Sequence, residues 1–211
     1  MTRASIVADL FLGLFILALL FWVRIPYMPL VIGASVLIIY HVSFSDLRTF
    51  GFVKPESILT TMTIALLMAL VIVLISFFML IPALEFITGQ PHQIGVFRQI
   101  EGNLKVLMFS IGIGSLIGGF TEEIIFRGFF MSRISDYIPG NIGKIISVVS
   151  TSIFFGYLHE YQGITGQIAI AIMGAILGGI YIMNKGRLWL NILVHGFVNT
   201  ISMTMVYFGI L

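Results

Sequence analysis

Gly118-Gly119-Phe120-Thr121-Glu122-Glu123-Ile124-Ile125-Phe126-Arg127-Gly128-Phe129-Phe130 sets three ionisable side chains inside one strongly apolar run. On insertion scales a charge at mid-bilayer depth costs roughly 2.5–3.5 kcal/mol, so three together cost about 8–10 kcal/mol. That rivals the net stability of a whole domain, about 5–15 kcal/mol. The three groups must therefore pair, face a wet cavity, or do both, and charge placed there asks for a functional reason.

The rest of the chain makes lipid the relevant solvent. Of 211 residues, 59% are apolar and only 9% charged, and the mean hydropathy is +1.10; a soluble domain carries about 25% charged residues. The expected fold class is an all-α integral membrane protein. Apolar stretches recur at about 5–23, 28–42, 57–84, 104–132, 142–158, 164–183 and 188–208. A span needs about 20 residues, so the second and fifth are short, and the third is long enough to tilt or project. The expectation is a polytopic bundle of about seven transmembrane helices around an intramembrane polar cavity, or about eight if the fourth stretch breaks at Gly112, Gly114, Gly118 and Gly119. The chain 1–211 reads as a single membrane domain, with N-terminal helices and a cytoplasmic elbow in 1–100 and catalytic core helices in 101–211.

The first stretch follows Arg3 with no small-x-small cleavage site before the next apolar run, so it reads as a retained helix. Arg24-Ile25-Pro26-Tyr27 then reads as a turn on the far face. Polar connectors fall at 43–56, with Asp46, Arg48, Lys54 and Pro55, and at 87–103, with Pro91, His92, Arg98 and Glu101. Counting alternate loops puts Arg3, Arg48, Lys54, Arg133, Lys144, Lys185 and Arg187 on the N-terminal side, against Arg24, Arg98 and Lys105. The larger basic set marks the cytoplasm, so the N-terminus is expected there and the C-terminus outside, in a multi-pass protein of the cell membrane. The absence of Cys excludes disulfides and thiolate catalysis. No Lys/Arg run suggests a nucleic-acid partner; the expected partners are the lipid bilayer and a peptide or protein substrate. Gly174-Ala175-Ile176-Leu177-Gly178 is a small-xxx-small face suited to close helix packing, and the Met and Phe residues are read as packing or lipid-facing, with no cofactor attached to them.

Residues four apart on a helix share a face, whereas neighbours diverge by about 100°. Glu123 and Arg127 are therefore expected to pair, with Glu122 pointing elsewhere. In the plainer reading both carboxylates simply neutralise Arg127 and anchor the helix end. Phe155 and His159 have the same spacing, which lets the ring pack beneath the imidazole; the plainer reading is an interfacial histidine. His195 and Asn199 repeat it in the last stretch, where the plainer reading is a helix-to-helix hydrogen bond worth about 0.6 kcal/mol. Together, Glu, His, His and Asn are the residue types that activate water and steady an oxyanion.

These three elements are Glu122-Glu123-Ile124-Ile125-Phe126-Arg127, Phe155-Gly156-Tyr157-Leu158-His159 and His195-Gly196-Phe197-Val198-Asn199. In this order, on hydrophobic segments, they make the chain resemble the CPBP intramembrane proteases, also called the Abi or CAAX-protease-like family. That family's pattern is Glu-Glu-x-x-x-Arg, Phe-x-x-x-His and His-x-x-x-Asn/Asp. The likeness covers roughly 105–205, and Gly51-Phe52-Val53-Lys54-Pro55 also looks like family members. The resemblance implies an intramembrane endopeptidase with Glu122 as general base and His159 binding or polarising the water. His195 and Asn199 would then steady the oxyanion, while Glu123 and Arg127 fix the helix and the ionisation of Glu122. The family's description as metalloproteases implies Zn held by Glu122, His159 and His195, and such a set leaves one position open, as catalytic zinc does. A His-Glu-x-x-His helix is absent, and a metal-free route uses the same residues; both stay open here.

By helix rise Glu122 lies about 15 Å, His195 about 10 Å and His159 about 25 Å from the cytoplasmic ends of their helices. For these depths to meet, residues 142–146 must begin outside the membrane, the fourth stretch must bend, or the connector after His159 must be re-entrant. The implied reaction is cleavage of a peptide or membrane-associated protein at the cytoplasmic side of the bilayer, in bacteriocin or pheromone processing. The competing class is a non-catalytic scaffold or bacteriocin self-immunity protein. A transporter reading lacks the internal repeat that many transporters show.

Overall fold

A computed structural model describes residues 3–22, 28–44 and 50–211. The expected turn at 24–27, and Asp46 and Arg48 of the first connector, lie outside the described residues. No strand occurs among those that are described. Each expected apolar stretch becomes a helical rod: α1 (Arg3–Trp22), α2 (Met28–Phe44), α3 (Ile58–Ile75) running on into α4 (Ile81–Thr88), α5 (Leu104–Gly114) running on into α6 (Ser132–Tyr137), α7 (Gly140–Tyr157), α8 (Gly163–Met183) and α9 (Leu188–Tyr207). Four rods are long and apolar enough to cross a membrane: Ile58–Thr88, Leu104–Tyr137, Glu160–Met183 and Leu188–Tyr207. Shorter apolar lengths lie at Asp9–Leu20 and Met28–Ile39. Large apolar side chains point outward, among them Leu59 (76% exposed), Phe86 (90%) and Met183 (84%). Such a surface is at home in lipid and not in water.

Local sequence sets the ends of the rods. Ser57 caps α3 by accepting from the Thr60 amide at 3.2 Å, and Asn103 caps α5 by accepting from the Val106 amide at 3.2 Å. Gly89, at φ 65°, closes α4 in the left-handed region that a side chain disfavours. The fourth rod does not break at its glycines. It widens instead into π-helical turns over Ser115–Glu122 and Ile124–Met131, where Thr121 Oγ1 donates to the Leu116 carbonyl five residues back at 2.8 Å. Turns of this kind concentrate at functional sites.

The rods alternate, which gives the bundle two ends. At one end Leu188 donates to the Gly51 carbonyl at 2.9 Å, Tyr137 donates to Asp9 Oδ2 at 3.0 Å, and Ser135 bonds Ser147 at 3.1 Å. At the other end Gln93 N donates to the Gln162 carbonyl at 3.1 Å and Gly102 N to the Tyr207 carbonyl at 3.0 Å.

This arrangement removes the conflict of depths. The fourth rod continues past residue 132 to Tyr137, and α7 folds back beside α6. From Tyr137 to Glu122 is about 22 Å of helix, and from Gly140 to His159 about 28 Å, so the two side chains arrive near one level.

Between α7 and α8 the small residues do the packing. A Cβ on Gly156 would overlap the Gln167 carbonyl and lie 2.7 Å from Ala171 Cβ, and one on Gly174 would lie 3.1 Å from Ser152 Cα. A Cβ on Gly178 would lie 3.2 Å from Val148, whereas Gly179 faces open space. Gly156→Ala is therefore expected to lower stability by about 1–3 kcal/mol through overpacking. Gly179→Ala, in the same bundle, should raise it by about 0.5–1 kcal/mol through helix propensity. Thermal melting of the two variants in detergent, side by side, measures the difference.

Candidate active site

The deepest polar group is Glu123, fully buried on the π-helical part of the fourth rod. Arg127, 1% exposed, sits one turn on and donates from Nη1 to Glu123 Oε1 at 2.9 Å, as the four-residue spacing requires. Its Nη2 donates to the Gly174 carbonyl of α8 at 2.9 Å. The guanidinium carbon lies 5.2 Å from the centre of the Phe155 ring, an arrangement that adds cation–π attraction. Asn191 of α9 donates to Glu123 Oε2 at 3.3 Å and to the Leu177 carbonyl at 2.7 Å. His195 Nδ1 lies 2.8 Å from Glu123 Oε1. A carboxylate only accepts, so Nδ1 carries the proton and Nε2 faces away from Glu123.

Glu122 points to another side, as its neighbour position demands. Its Oε2 lies 3.9 Å from His195 Nε2, and its side chain is 16% exposed. A cavity of about 870 Å³ reaches it, lined also by His159, His195, Asn199, Gly118 and Phe155. Glu122 and His159 border a second hollow of about 230 Å³ against Leu20, Met28 and Pro29 of the first two helices.

His159 lies just beyond the end of α7, its ring 4.8 Å from that of Phe155. Its Nδ1 is 2.8 Å from the Phe155 carbonyl. A carbonyl cannot donate, so this nitrogen is the protonated one, and Nε2 is the free position. Asn199 donates to the Gly114 carbonyl at 3.0 Å, which leaves its second N–H. Gly118 makes this approach possible: a Cβ there would overlap Asn199 Nδ2 and lie 3.3 Å from His195 Nε2. One turn face of the fourth rod thus meets one turn face of α9 without intervening side chains, and Gly119 would put its Cβ 3.0 Å from Gly196 Cα.

The structure brings Glu122, His159, His195 and Asn199 to one cavity and sets Glu123 and Arg127 behind them. Glu122 with two free histidine nitrogens has the donor chemistry for zinc. Among the described residues, however, no three His, Asp or Glu side chains gather closely enough to hold a metal ion. The expected ligand set does not fit a metal in this arrangement, and no step below is routed through one.

Sequence reading missed two contributors. Asn191 stands four residues before His195, so Asn191, His195 and Asn199 form one polar stripe at i, i+4 and i+8; extending the spacing rule backwards by one turn would have found it. Gln162 and His92 come from separate connectors, with Gln162 Oε1 3.0 Å from His92 Nε2. They join the roof over His159 across a separation that no local pattern reveals.

Residues 104–201 match the family model for type II CAAX prenyl endopeptidases of the Rce1-like kind. No curated protein and no solved structure matches the chain.

Removing one partner of a buried ion pair strands the other charge. Arg127→Met is expected to destabilise the protein by about 3–5 kcal/mol. Adding Glu123→Gln to the same chain should recover part of that loss, and a double-mutant cycle of melting midpoints checks the coupling.

Proposed function

Through residues 104–201 the chain belongs to the CPBP, or CAAX-protease, family, and from that premise we propose that it is an intramembrane endopeptidase acting by Glu122 and His159 on a water molecule. The observation that carries the reading is the pairing of groups on one cavity: the Glu122 carboxylate beside His195 Nε2 at 3.9 Å, and a His159 ring whose Nδ1–H is committed to Phe155, leaving Nε2 to accept.

A water held between Glu122 and His159 Nε2 loses a proton to Glu122 as its oxygen attacks the scissile carbonyl carbon. The carbon–oxygen bond forms and the carbonyl π pair moves onto oxygen, giving a tetrahedral oxyanion. The free N–H of Asn199 and the Nε2–H of His195 in its imidazolium form stabilise that charge, and fixed donors of this kind are the largest single contributors in many acyl-transfer sites. Collapse breaks the carbon–nitrogen bond, and the proton on Glu122 passes to the departing amine. Glu123, compensated by Arg127, holds the His195 ring in orientation through Nδ1 and favours its protonated form. The substrate class is a peptide or a membrane-associated protein, a segment of which enters the cavity in extended form.

Glu122→Gln and His159→Ala are each expected to lower turnover by about 10²–10⁴-fold, the usual worth of a positioned acid or base. Mass spectrometry of membrane peptides from cells carrying wild type or Glu122→Gln provides the readout when no substrate is known. Cleavage products present with both proteins at equal abundance would remove Glu122 from the chemistry. Gly118→Ala should reduce turnover while leaving the melting midpoint near that of wild type, because the added methyl displaces only the Asn199 and His195 side chains; a matching loss of stability would count against that account.

A further inference from the structure

The two ends of the bundle differ in charge. At the end joined by the Gly51–Leu188 and Tyr137–Asp9 bonds, the connectors and helix ends carry Lys54, Arg133, Lys144, Lys185 and Arg187. At the opposite end the described basic residues are Arg98 and Lys105, accompanied by Glu85, Glu101 and Glu160. Short loops rich in Lys and Arg stay in the cytoplasm. The cavity lies toward the other end: from Glu122 and His195 it passes Gly118, Gly114 and Ser110 and reaches Gln99, Phe97 and Tyr161 beside the connectors there. His159 itself stands where α7 meets α8 at this end.

We infer that the cavity opens toward the non-cytoplasmic face, and that its substrate is an apolar peptide segment presented from that side of the membrane. The walls supply the chemistry for such a segment. Phe97, Ile100, Val106, Phe109, Ile113 and Ile117 line the approach, and the ionisable groups of the lining, Glu122, His159 and His195, are confined to its floor. A volume of about 870 Å³ falls in the range of pockets that enclose a whole small ligand. The cytoplasmic site of cleavage expected from sequence is thereby reversed, because the reactive residues lie near the far ends of α7 and α9 and not near their Lys/Arg-flanked starts. The substrate half of this inference rests on the peptidase reading; the sidedness rests on geometry and charge alone.

The natural absence of Cys makes the test direct. Single substitutions Glu101→Cys, Ser110→Cys and Asn141→Cys report, in order, the far end, the cavity and the Lys/Arg-rich end. A membrane-impermeant maleimide applied to intact spheroplasts should modify Glu101→Cys and Ser110→Cys, and should modify Asn141→Cys only after permeabilisation. If Glu101→Cys or Ser110→Cys reacts only after permeabilisation, or if Asn141→Cys reacts before it, the inference is overturned. Labelling does not require turnover, so this result stands apart from the Glu122→Gln comparison. Failure of the peptidase reading would leave the labelling pattern unchanged.

Discussion

The buried Glu123–Arg127 pair is the interaction on which the site depends. Two opposite charges four residues apart on one helix neutralise each other, and the remaining hydrogen-bonding capacity of each is spent on a different neighbour. Arg127 reaches the Gly174 carbonyl on α8, and Glu123 receives Asn191 and His195 from α9. Burial in low dielectric makes an uncompensated member of such a set expensive, so three rods are held in register by one electrostatic knot. Glu122 is then carried into the cavity by the same helix, about 100° round from Glu123.

Small residues let that knot tighten. Gly118 and Gly119 bring the fourth rod against α9, while Gly156, Gly174 and Gly178 bring α7 against α8. Apolar surface gives membrane helices little reason to prefer each other over lipid, and close backbone approach substitutes packing and hydrogen bonds for it. The π-helical turns at Ser115–Glu122 and Ile124–Met131 flank Glu123 on both sides. They re-aim the carboxylates where a regular helix would have continued their spacing unchanged.

The helical fold class was legible because lipid imposes long apolar runs, and each of the expected stretches corresponds to a rod. The pairing of Glu123 with Arg127 and the stacking of Phe155 on His159 followed from four-residue spacing alone. What spacing could not convey was the length of the fourth rod, whose polar last turns, with Arg133, Ser135 and Asp136, look like a connector. It also could not show that the glycines there widen the helix and do not break it, since both outcomes satisfy the same composition. Contacts between connectors, such as Gln93 with Gln162, depend on the closure of the whole bundle and leave no local trace.

The back-fold from α6 into α7 works as a ruler. The chain climbs to Glu122 by one rod and returns to His159 by the next, and the hairpin at Pro139 fixes where the second count begins. Adding a single residue within α7 would lift His159 by about 1.5 Å and swing it about 100° around the axis, turning its free nitrogen out of the cavity. Substitutions along the lipid-facing side of that helix leave the count intact, whereas any change in its length is read at the far end as a missing side chain. The length of this segment is thus as much a part of the site as the residues that touch the cavity.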